Sequence, residues 1–180
     1  EPCILNYTKD KYEGATQDIN KWKESLINCV QDPEQIVLII GDSHGLNIFD
    51  VFAHSQLFNR VFGMTNGGCR AHDCGLKINF FEYFSEEIIP LLRPQDIVIY
   101  NQAGGYFVRD REGKYHSTRL YNKGEDYSIS YSDKNALSVR DYLNRISDQS
   151  KAKIIWLGPF WDNGFNKTEL INHLQSRNYD

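Results

Sequence analysis

"QIVLIIGDSHGLNIFDVF" (residues 35–52) decides the fold. Ile36 to Ile40 are apolar at every position, without the alternation of a half-exposed strand. Such a run predicts a strand buried on both faces, as in the middle of a parallel sheet. It stops at Gly41-Asp42-Ser43-His44-Gly45, and Leu46, Phe49, Val51, Phe52 and Leu57 then carry a helical stripe. A serine where a buried strand turns into a helix has two explanations. Either Asp42 and Ser43 cap the helix, or Ser43 is a nucleophile set among the N–H groups and positive dipole end of that helix.

The same pattern recurs outward along the chain. "RVFGMT" (60–65) predicts a short strand that runs into the loop "NGGCRAHDCG". "DIVIYN" (96–101) leads into "QAGGYF", and "KIIWLG" (153–158) ends at Gly158-Pro159. Helices are predicted over 19–30, with Trp22, Leu26 and Ile27 on one face, and over 80–92, stopping before Pro94. Another is capped by Ser132-Asp133 and runs to about Ser150, with Leu137, Tyr142, Leu143 and Ile146 inward. The last covers 167–175. Residues 108–132 are polar and tyrosine-rich, and predict a long loop or a small β excursion. Strands alternating with helices predict an α/β fold, a three-layer α/β/α sandwich with a mostly parallel sheet. A chain of 180 residues fits one domain. Residues 1–34 are expected to form an N-terminal extension and 36–160 the core.

The composition is that of a globular protein, 41% hydrophobic and 24% charged. The net charge is −4 with pI near 5.7, and the basic residues are scattered, which argues against a nucleic-acid partner. No run of 18 apolar residues occurs. The chain begins at Glu1-Pro2-Cys3 and is expected to be a mature or excised piece. Cys3, Cys29, Cys69 and Cys74 lack the close pairs of a zinc site. Two disulfides, Cys3–Cys29 and Cys69–Cys74, are the preferred reading, with four reduced thiols the alternative. The sequons at Asn6 and Asn166 fit an extracytoplasmic location.

Ligands of such sheets collect at the carboxyl ends of the strands. Ser43, Gly67-Gly68, Asn101 and Gly158-Pro159 fall there. If Ser43 attacks an acyl carbon, the new oxyanion needs preorganised donors. The Ser43 N–H, a glycine N–H from Gly67 or Gly68 and the Asn101 amide are candidates. Asn101 can equally bind loop backbone, and Asp42 is expected to support the turn. Tyr100, Tyr106, Phe107, Trp156, Phe160 and Trp161 are core residues or sugar platforms.

Gly41-Asp42-Ser43-His44 after a hydrophobic strand resembles the first block of the SGNH (GDSL-like) hydrolase superfamily. Gly67-Gly68 and Asn101 stand where that family places its oxyanion glycine and asparagine. The chain looks most like the extracytoplasmic SGNH domains of carbohydrate O-acyltransferases and acetylesterases. "YNQAGG" is also similar to the N-x-G element of the plant polysaccharide acetyltransferase and PC-esterase branch. The resemblance implies serine-dependent O-acyl, chiefly O-acetyl, ester hydrolysis or transfer on a carbohydrate, without metal or organic cofactor. Its partners would be a carbohydrate or acylated small-molecule substrate and, for a transferase, a membrane acyl-donor module.

The family's base comes from a late D-x-x-H, and none of His44, His54, His72, His116 and His173 has Asp three residues before it. His173 lies in an amphipathic segment and is retained as a candidate base. His44, next to Ser43, is expected to point away from it; His72 is an exposed loop histidine or a substrate contact, the first being the preferred reading, and His54 and His116 are expected on the surface. The family's last strand and its D-x-x-H are therefore expected to be missing. Two alternatives stay open: a carbohydrate-binding or scaffolding module that has lost its base, and a flavodoxin-like domain binding an anion at "GDSHG".

Overall fold

The computed structural model describes residues 3–9, 11–55, 57–67, 69, 80–103, 108–109, 130–131 and 133–160. Its elements are β1 (Cys3–Tyr7), β2 (Ala15–Thr16), α1 (Ile19–Val30), β3 (Val37–Gly41), α2 (Ser43–His54) and β4 (Arg60–Thr65). They continue with α3 (Phe80–Tyr83), β5 (Ile97–Ala103), β6 (Val108–Arg109), β7 (Ser130–Tyr131), α4 (Asp133–Gln149) and β8 (Lys153–Phe160). A π turn (Phe84–Ile88) and a 3-10 turn (Ile89–Leu91) extend α3. Pro90 lies in this last turn and has no N–H to continue α-helical bonding.

Six strands form one sheet in the order β2-β1-β4-β3-β5-β8, and every pair in it is parallel. The fold is thus the expected α/β/α sandwich. All five residues of β3 are buried, as its unbroken apolar run requires. Leu38 and Ile40 face a large core with Trp22 and Leu26 of α1, Phe81 of α3, and Tyr142 and Ile146 of α4. Val37 and Ile39 face a smaller core with Phe49 of α2, Val61 and Ile99. The short β6 and β7 pair antiparallel, so the tyrosine-rich region does contain a small β excursion.

The N-terminal segment departs from expectation. It is no appendage: β1 lies inside the sheet between β2 and β4, with Leu5 opposite Phe62 and Tyr7 opposite Met64. Strands β1 and β2 supply width that the four predicted strands lacked. Any strand after Phe160 and the helix expected at 167–175 lie outside the described residues. Two helical faces also differ. Val51, Leu57 and Leu137 are exposed, whereas Val139 is fully buried. Val51 and Phe52 are adjacent and cannot face the same way on a helix; the sheet selects Phe49 and Phe52.

The amino ends of the strands are tied by charge and by sulfur. Asp96 is 1% exposed and accepts from Ile36 N at 3.0 Å, from Arg93 N at 2.8 Å and from Arg93 Nη2 at 2.9 Å. Arg93 also donates to Val30 O and Glu34 O. The Cys3–Cys29 disulfide joins β1 to α1 with Cα atoms 6.0 Å apart, as expected. Cys69 is also disulfide-bonded, and its expected partner, Cys74, lies outside the described residues.

Replacing both Cys3 and Cys29 by alanine opens a loop with a sequence separation of 26. The loss expected from chain entropy is about 3 kcal/mol in urea denaturation; an unchanged midpoint would show that β1 docks without the bond. Burial raises the Tyr142 phenol well above its ordinary value, and Tyr100 adds to the effect. The neutral phenol is the form the fold favours, so its stabilisation is present below pH 10 and is lost as pH rises above that. Tyr142→Phe gives up the hydrogen bond to Phe81 O, about 1 kcal/mol at neutral pH. It should nevertheless flatten the alkaline limb of a stability-versus-pH curve.

Candidate functional site

Gly41 and Asn101 are register partners at the carboxyl ends of β3 and β5. A Cβ on Gly41 would lie 1.9 Å from Asn101 O, so no other residue fits without separating the two strands. The chain then turns directly into α2. Asp42 is the N-cap, in extended conformation, and its side chain accepts from His44 N at 2.9 Å. Its carbonyl accepts from Leu46 N at 3.1 Å. Ser43 is the first residue of α2 and is exposed. The capping explanation holds for Asp42. Ser43 is left at the positive end of the helix with its side chain open to solvent.

The location fits the rule for ligand sites in open α/β sheets. After β3 the chain crosses on one face through α2; after β4 and β5 it returns through α3 and α4 on the other. The carboxyl end of β3 is thus flanked by connections that leave on opposite faces, the position at which ligands of such sheets bind.

The second element is the turn after β4. Asn66 N donates to Gly41 O at 3.1 Å, and Cys69 N donates to Asn66 O at 2.9 Å. The first bond ties the turn containing Gly67 directly to the strand end that carries Ser43. Gly68 lies outside the described residues. Asn101 is fully buried and its Nδ2 donates to Leu157 O of β8 at 3.2 Å. The expected oxyanion amide is thus beside the site and bonded to sheet backbone.

No histidine among the described residues is hydrogen-bonded to Ser43. His44 Nδ1 lies 3.6 Å from Asp42 Oδ1, so its ring turns back toward the cap. His54 bonds Asp50 O within its own helix. His72, His116 and His173 lie outside the described residues, as do Tyr106, Phe107 and Trp161. Tyr100 is core at 0% exposure, whereas Trp156 is 40% exposed on β8.

Several polar groups here escaped sequence reading. Asn6 is fully buried at the end of β1, and its Nδ2 donates to Thr65 Oγ1 at 2.7 Å and to the Tyr12 hydroxyl. Gly63 leaves it room, since a Cβ there would lie 2.3 Å from Asn6 Oδ1. This engagement corrects the Asn6 sequon: the folded protein cannot carry a glycan there. The Asn166 sequon lies outside the described residues. Asn66 Oδ1 and Gln102 Nε2 are buried without hydrogen-bond partners, and Gln102 Oε1 accepts from Tyr100. Lys9 Nζ donates to Gly67 O at 3.1 Å. The Asn6–Thr65 and Lys9–Gly67 contacts have no local signal, because each joins residues far apart in the sequence.

A cavity of about 650 Å³ lined by Cys3, Lys21, Asn28, Cys29, Asp32 and Arg60 lies at the amino ends of β1 and β4, the opposite edge of the sheet. Among the described residues no cluster of three metal-ligating side chains occurs. None of their helices is long and apolar enough to cross a membrane. The disulfides fit an oxidising compartment. Comparison of the chain with protein-family models, curated proteins and solved structures finds no match.

Gly41→Ala should cost about 3 kcal/mol or more, since the intruding methyl meets backbone and not a yielding side chain. Urea denaturation measures this; a loss near zero would show that β3 and β5 can part without penalty.

Proposed function

We propose that the chain is a serine-dependent O-acyl domain of SGNH type, hydrolysing or transferring an acetyl ester on a carbohydrate outside the cytoplasm. The observation that carries this reading is the join at Gly41. Ser43 is exposed in the first turn of α2 at a reversal of the sheet connections, and the Gly67 turn is hydrogen-bonded to the same strand end. Ser43 Oγ would attack the acyl carbon. The Ser43 N–H and the turn amides of Gly67 or Gly68, with Asn101 alongside, would receive the developing negative charge. The base would come from outside the described residues, with His173 the candidate within the chain. The resemblance at Gly41 to His44, Gly67-Gly68 and Asn101 supports the same chemistry.

One contact favours a second reading. Asn101 Nδ2 is engaged by Leu157 O, which suits a pocket that binds an acylated sugar without turning it over.

Hydrolysis of p-nitrophenyl acetate by the chain and by Ser43→Ala separates the two. The first reading expects the substitution to lower the rate about a thousandfold or more, and a fluorophosphonate to label only the unsubstituted chain. Equal rates would overturn the nucleophile. Retained binding of an acetylated oligosaccharide by both proteins, with no turnover, would establish the second reading.

A further inference from the structure

Lys9 follows β1, on the connection to β2. The parallel register that sets Tyr7 opposite Met64 brings the residues just beyond β1 and β4 to the same edge of the sheet. There the Lys9 ammonium donates to Gly67 O at 3.1 Å. Its Cε lies 3.8 Å from the position a Cβ on Gly67 would take. The lysine is exposed, yet its backbone is held: Lys9 O accepts from Gln17 Nε2, and Thr8 N donates to Thr16 O at 3.1 Å. It is anchored at one end and engaged at the other.

Among the described residues the turn that Lys9 meets is also held by Asn66 N to Gly41 O and by Cys69 N to Asn66 O, and Cys69 is disulfide-bonded. None of these acts on the Gly67 carbonyl. Among the described residues Lys9 is the group that does.

We propose that Lys9 is a positioning residue for acyl chemistry at Ser43, holding Gly67 so that the amide donors of its turn meet the acyl oxygen. This rests on the serine reading of the site. Two physical effects follow from the contact. An oxyanion donor is effective only within hydrogen-bond distance of where the charge develops, so a loosened turn loses rate without losing substrate. A cation on an amide carbonyl also polarises that peptide group and strengthens the hydrogen bond its N–H donates. Lys9 itself touches no reacting atom in this scheme.

The test compares the chain with Lys9→Met, Lys9→Arg and Ser43→Ala on one acetyl ester. Lys9→Met keeps the aliphatic stem and removes the donor. Its kcat should fall about tenfold, while KM stays within about twofold. Lys9→Arg, which restores a cationic donor, should recover most of the loss, and both lysine variants should melt with the unsubstituted chain. Full kcat in Lys9→Met overturns the proposal, as does a loss that arginine leaves unrescued or one matched by a lowered Tm. If Ser43→Ala retains full activity, the serine reading fails and Lys9 with it. If Ser43→Ala is inactive and Lys9→Met unimpaired, the role of Lys9 alone fails.

Discussion

A Cβ on Gly41 would stand 1.9 Å from Asn101 O, and the carboxyl edge of the sheet is built around that missing atom. Because β3 and β5 meet so closely, the chain leaves β3 already at its junction with the neighbouring strand. Asp42 caps α2 at once, so Ser43 enters the helix with no loop between. The free carbonyl of Gly41 receives Asn66 N and draws the turn after β4 to the same point. A bulkier residue would displace the serine, the cap and the turn together.

The two edges of the sheet use different chemistry. At the amino ends, ionised groups lock the entries of β3 and β5: buried Asp96 is fully engaged by Arg93 and by backbone, and Arg60 reaches Cys29 O and Glu34. Hydrogen bonds to a buried charge are among the stronger ones available, and Cys3–Cys29 closes the same edge. At the carboxyl ends the buried groups are mostly neutral amides and hydroxyls, among them Asn6, Thr65, Asn66, Asn101 and Gln102, with the Asp42 carboxylate engaged as the cap of α2. The first arrangement ties the strand entries together. The second offers chiefly neutral donors and acceptors, beside an exposed serine and the Lys9 ammonium.

How much of this was legible depended on whether the signal was local. β3, β5 and β8 are apolar runs, and β4 matches its predicted bounds of 60–65. β1 escaped notice because its five residues are mostly half-buried and include Cys3 and Asn6, so neither a continuous run nor clean alternation appears. β2 is two residues long and exists only by pairing with β1. The helical stripes were read by counting apolar residues, but the face a helix buries is chosen by the sheet beneath it. Leu137 therefore lies outside and Val139 inside. At the site, Ser43 and the glycine turn were legible because turn chemistry is written in adjacent residues. The contacts of Lys9 with Gly67 and of Asn6 with Thr65 span 58 and 59 positions. Only the register of β1 on β4 brings them together.

The burial of Asn6 has a consequence for how the protein is made. Asn6-Tyr7-Thr8 satisfies the sequence requirement for a glycan, yet the same amide is spent on Thr65 and Tyr12 inside the sheet. A sugar on that nitrogen and a docked first strand are mutually exclusive. In a secretory host that modifies nascent chains, the six-stranded sheet is open only to molecules that escape modification at this position. The expression host thereby becomes a variable that sets the native yield.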